Sequence, residues 1–141
     1  MLNETTYRSI YENMKTTWDI NSPVWYPLYS TKRSDVLSFN LNDDPVLINE
    51  FRGVLIRILV SYEVDNIYKL GEQELGFVPE IICLSELAFT NQDFIGDSFW
   101  CNHSLEWIIY ACHDGYITIG GSKFICDVKE SWASWGDYKA F

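Results

Sequence analysis

The chain has 141 residues, a formal net charge of −10, and a composition that is 48% hydrophobic and 16% aromatic. These values exclude general disorder and suit one domain built on one continuous core, spanning residues 1–141. No apolar run approaches the roughly eighteen residues of a membrane span, and MLNETTYRSIYENMK lacks the basic-then-apolar order of a secretory signal, so a cytoplasmic protein is expected.

In chain order, Tyr7, Ile10, Tyr11, Met14 and Trp18 recur at helical spacing and predict an amphipathic helix over 4–17, with Asn3 as its N-cap. WDINSPVWYPLY follows, where Pro23 and Pro27 break regular structure and the aromatics predict a packed loop. Val36 to Asn42 alternates, with Leu37, Phe39 and Leu41 on one side, as a half-buried strand does. Asp43 or Asp44 then caps a helix that starts with Pro45 and runs to about Tyr62, with a broad apolar face from Leu47 to Leu59. Gly53 inside it suggests close packing. Short strands are expected at Asn66–Leu70 and Glu80–Leu84, with a helical turn at Ser85–Phe89. Asn91 to Asn102 reads as an irregular acidic loop anchored by Phe94, Ile95, Phe99 and Trp100.

The clearest sheet signal is Leu105 to Gly120, LEWIIYACHDGYITIG. Its first arm is apolar on both sides, with Trp107, Ile109 and Ala111 opposite Ile108, Tyr110 and Cys112; a strand of that kind is covered on both faces. Asp114-Gly115 marks the turn of a hairpin. Gly120-Gly121 then turns the chain, and Ser122 caps a last helix carrying Phe124, Ile125, Val128 and Trp132 on one face. The expected fold is therefore α+β: a mostly antiparallel sheet packed by helices, with a C-terminal β-hairpin followed by a helix.

The charge is unevenly placed. Residues 62–114 carry ten acids and one base, Lys69, whereas the segments on either side are nearly balanced. Such a surface repels nucleic acid and attracts a basic protein, or it serves solubility alone. Glu72, Glu74, Asp93, Asp97 and Asp114 are the candidate charged contacts, with Phe94, Phe99 and Trp100 as aromatic anchors. Direct nucleic-acid and membrane binding are not expected.

Enzyme chemistry has thinner support. Cys101, His103, Cys112 and His113 offer four metal donors, yet their spacing matches no common zinc pattern, and adjacent Cys112 and His113 point to opposite faces unless a turn brings them together. The expectation is no metal and no cofactor. The same residues could form a Cys–His pair oriented by Asp97 or Asp114. No phosphate loop, dinucleotide fingerprint, nucleophile elbow or HExxH pattern occurs. The four cysteines form no CxxC pair and read as buried free thiols, Cys112 and Cys126 above all.

Small size, acidity, flanking helical segments and LEWIIYACHDGYITIGG with tryptophan downstream resemble bacterial immunity proteins of polymorphic-toxin or contact-dependent growth inhibition systems. The WYPLY segment at Trp25–Tyr29 also resembles an uncharacterised bacterial α+β family. The first resemblance implies an acidic protein that binds and inhibits a cognate toxin, often a basic nuclease domain. It transfers no residue roles. A small metal- or Cys/His-dependent enzyme and a structural or scaffold protein are the competing readings.

Overall fold

A computed structural model describes residues 4–20, 33–71 and 80–140. The predicted aromatic loop from residue 21 on, Glu72, Glu74 and the Asn3 cap lie outside the described residues. Helix α1, Glu4–Trp18, leads to strand β1, Val36–Asn40, and helix α2, Pro45–Ser61. Strands β2, Asn66–Leu70, and β3, Glu80–Cys83, precede a 3₁₀ turn at Leu84–Glu86 and the short helix α3, Asn91–Ile95. Then come β4, Ser98–Cys101, β5, Ile108–Ala111, and β6, Tyr116–Gly120. Helices α4, Ser122–Ser131, and α5, Trp135–Tyr138, and the short strand β7, Lys139–Ala140, follow.

The seven strands form one sheet in the order β3-β2-β4-β5-β6-β1-β7, and each neighbouring pair is antiparallel. This is the α+β architecture expected from the sequence. The hairpin is β5–β6, with Ile108 opposite Gly120 and Ala111 opposite Ile117. As its two-sided apolar pattern required, both faces of β5 are covered. Trp107, Ile109 and Ala111 join the larger core beneath α2 and α4, while Ile108, Tyr110 and Cys112 join the smaller core beneath α1.

Helix α2 begins where the sequence placed it. Asn42 and Asp43 turn the chain at positive φ, and the Asp44 carboxylate accepts hydrogen bonds from the N–H groups of Val46 and Leu47. Pro45, with no N–H to lose, takes the first position. Phe51, Leu55 and Leu59 are fully buried, each worth about 1.5–3 kcal/mol relative to exposure. The helix ends at Ser61, and beyond the Tyr62 cap Glu63 turns the chain at φ 61, where Glu63 N–H donates to Val60 O and Val64 N–H to Leu59 O. Those two bonds satisfy orphaned carbonyls of the last turn.

Four expectations need correction. Asn91–Asn102 is not irregular: it contains α3, capped by Thr90, and β4, whose four residues are all buried. Strand β1 is not half-buried; both cores cover it, and its inner hydroxyls, Ser38 and Thr118, pair at 2.7 Å. Gly121, not Ser122, precedes the first residue of α4, and no side chain caps that helix. Gly53 makes no close helix contact; a side chain there would meet only the Arg57 guanidinium.

Candidate functional site

Strand register determines which loops meet. Asn66 pairs with Cys83, Tyr68 with Cys101, Cys101 with Ile108, and Ile108 with Gly120. The segments 62–65, 102–107 and the start of α4 therefore gather at one end of the sheet. They line a half-open groove of about 1010 Å³, with Glu63, Asp65 and Glu106 as carboxylates and Tyr62, Tyr68, Ile81, Trp107 and Phe124 among its walls.

Local geometry orders this groove. The Asn102 carboxamide accepts from Ser104 N–H and Ser104 Oγ, and Leu105 N–H donates to Asn102 O, which turns the chain toward Glu106. Such side-chain-to-backbone bonds are what asparagine supplies in turns. Tyr62 donates its hydroxyl to Asp127, and the Lys123 ammonium lies 4.2 Å from the Tyr62 ring centre while pairing with Asp127 at 2.9 Å. Burial and the Asp127 carboxylate push the Tyr62 hydroxyl above its ordinary pKa; the Tyr62 hydrogen bond and Lys123 hold Asp127 below the usual carboxylate value. Lys123 is thus neutralised within its own helix, and Glu63, Asp65 and Glu106 remain exposed.

The opposite end of the sheet holds a second cluster. Asp97 precedes β4, and the Cys112–Gly115 turn joins β5 to β6. Asp97 Oδ1 accepts from Tyr110 Oη at 2.8 Å and from His113 N–H at 3.0 Å, and lies 3.0 Å from His113 Nδ1. His113 Nε2 is 3.5 Å from Asp114. Asp114 N–H donates to Cys112 Sγ at 3.4 Å. Burial pushes the Cys112 thiol up, and the nearby carboxylates of Asp114 and Asp97 add to that shift.

The sequence candidates separate on this frame. Cys101 and His103 lie at the groove end, whereas Cys112 and His113 lie at the hairpin tip. From Ile108, opposite Cys101, to Cys112 is four residues, about 13 Å of strand. The four-donor set is therefore split. Cys112 and His113 do come together, because the turn abolishes strand alternation. Cys83 and Cys126 are exposed, not buried; Cys101 is buried, and its thiol is pushed up to about 12 by loss of water.

The expected partner contacts also divide. Asp93 is 2% exposed: it completes the capping box with Thr90 and pairs with Lys69 at 2.7 Å. Asp97 is buried as described. Phe99 stacks on Tyr110 with ring centres 4.4 Å apart, and Trp100 meets Phe89 edge-on at 5.3 Å. Both aromatics are core, and Phe94 packs partly buried against it, so none of the three stands out as an exposed anchor. Asp114 alone of the described acidic candidates is on the surface. Glu63 and Asp65 enter the sequence reading only through the charge excess, and Glu106 only as a carboxylate at the start of the central strand. The signal that places them is their position in loops flanking strands that share an end.

Comparison with family models, curated proteins and solved structures finds no match to this chain. What defines its class is the fold itself: an α+β domain with one antiparallel sheet between two helical layers. Among the described residues no helix is long and apolar enough to cross a membrane.

Proposed function

We propose that this protein is an acidic, cytoplasmic protein-binding module of the immunity type, which captures and inhibits a basic toxin domain through the groove at the β2–β4–β5 end of the sheet. The observation that carries this reading is the convergence of Glu63 and Asp65 from one loop and Glu106 from another on one groove walled by the half-buried Tyr62 and Tyr68. Among the described lining residues, three exposed carboxylates stand with one lysine, Lys123, that already pairs with Asp127, so the groove favours cationic side chains. Such charge raises the association rate and rejects acidic partners, while the aromatic walls supply contact area. An enzyme reading through Cys112 has less support: a nucleophilic cysteine needs a lowered pKa, and this one is raised.

The test is co-expression with the products of adjacent genes, followed by association kinetics on any toxin recovered. Protection of cells and an association rate that falls at least about tenfold in Glu63→Lys/Asp65→Lys/Glu106→Lys at low salt are expected. Failure of every neighbouring product to bind, or unchanged protection and kinetics in the triple variant, overturns the proposal.

A further inference from the structure

At the end of the sheet away from the groove, an Asp97 carboxylate oxygen, a His113 ring nitrogen and Cys112 Sγ all lie within 4.8 Å of one another. We propose that this hairpin tip is a binding site for a borderline divalent cation of the zinc class, with Asp97, His113 and Cys112 as its protein ligands. Mixed oxygen, nitrogen and sulfur donors suit zinc, whose bonds of about 2.0–2.3 Å place tetrahedral ligands about 3.5 Å apart. The Asp97 oxygens are 3.0 and 3.2 Å from His113 Nδ1, and Cys112 Sγ lies within 4.8 Å of that pair, so shifts of about 1 Å, carboxylate and imidazole slightly apart and sulfur inward, meet that geometry.

The donors are also oriented from behind, as metal ligands commonly are. Tyr110 Oη donates to Asp97 Oδ1, and Asp114 N–H donates to Cys112 Sγ. Asp97 is held against the turn by His113 N–H. Clamping the turn needs only the carboxylate and the backbone; it does not require a buried thiol beside two carboxylates. A divalent cation would use the sulfur that the same turn brings beside the carboxylate and the imidazole. Three protein ligands leave one position for water or a partner's donor.

The test uses the full chain after chelator treatment and gel filtration, titrated with zinc and then with cobalt, with bound metal read by native mass spectrometry. One equivalent bound at sub-micromolar dissociation constant is expected, with a thiolate-to-cobalt charge-transfer absorption. Cys112→Ser abolishes that absorption. His113→Gln, at a half-exposed side chain that substitution leaves foldable, weakens binding at least about tenfold. Cys83→Ser/Cys126→Ser removes the exposed thiols and leaves binding unchanged. Absence of sub-micromolar binding by the folded chain overturns the assignment. So does binding that survives His113→Gln at full strength or is lost in the Cys83→Ser/Cys126→Ser variant.

Discussion

Gly121→Ala isolates how tightly the sheet is joined to α4. Gly121 has φ 118 and ψ 123, and an added Cβ would lie 2.4 Å from Glu106 O. Ordinary contact begins at 3.4 Å, so the two backbones must separate by about 1 Å. The positive φ costs an alanine about 1–3 kcal/mol, and forcing apart packed segments adds about 1–3 kcal/mol. A loss of about 3–4 kcal/mol is therefore expected. Two other glycines calibrate it. Gly115 has φ 87 but open space around its Cβ, so Gly115→Ala carries only the backbone cost, about 1 kcal/mol. Gly53 is helical and meets only Arg57 Nη1 at 3.4 Å, so Gly53→Ala stabilises by about 0.5–1 kcal/mol. Urea unfolding measures all three as shifts in midpoint at constant slope. A Gly121→Ala loss no larger than that of Gly115→Ala would refute the close approach to Glu106.

Thiol exposure gives a second expectation: a limiting alkylating reagent modifies Cys83 and Cys126 in the native chain, and all four cysteines only in denaturant, as intact mass reports. Tyr110→Phe removes one hydrogen bond to a buried carboxylate and should cost about 1.5–3 kcal/mol by urea unfolding; a cost under about 0.5 kcal/mol means that Asp97 does not depend on it. Asp44→Ala removes the α2 cap and should cost about 1 kcal/mol in the same assay, with Asp44→Asn nearly neutral. Arg33 makes two bonds to Asp35 and holds its carboxyl below the ordinary value of 3.8. A lowered folded-state pKa stabilises above the unfolded value and is lost as pH falls through the folded one. The stability gap between the native chain and Arg33→Gln should therefore be constant near neutrality and shrink below about pH 4. A gap that persists undiminished into strong acid removes Asp35 as the partner.

The elements that could be read from sequence are those whose signal is local and repeated. Helix α2 has a cap, a proline and seventeen residues of periodicity, and the hairpin has two apolar arms around Asp-Gly. Helix α3 has five residues and β4 four, too short for a period to emerge, and β4 is buried on both faces without alternation. Cys126 is exposed although its context is apolar, and the period shows why: Phe124, Val128 and Trp132 share one face at intervals of four, which turns residue 126 outward. Asp93 is not surface charge: Thr90-x-x-Asp93 is a capping box written in the sequence. The groove was not legible because its carboxylates come from loops about forty residues apart, joined only by the register of β2, β4 and β5.

That distinction changes how the acidic segment is to be probed. Asp93 and Asp97 add to its formal charge but serve the interior, one tied to Lys69 and the α3 cap, the other to Tyr110 and the hairpin turn. Neutralising either leaves buried partners unsatisfied, so a loss of binding in such variants reports unfolding as readily as recognition. Glu63, Asp65 and Glu106 are exposed, and their carboxylates can be reversed at little folding cost. If the groove captures a basic partner, reversal there slows association while leaving the urea midpoint nearly unchanged, and the effect shrinks as salt rises. Charge kept only for solubility predicts the opposite pattern: reversal at the groove and at the exposed Glu80 or Glu86 would be equivalent, because net charge counts residues and not their positions.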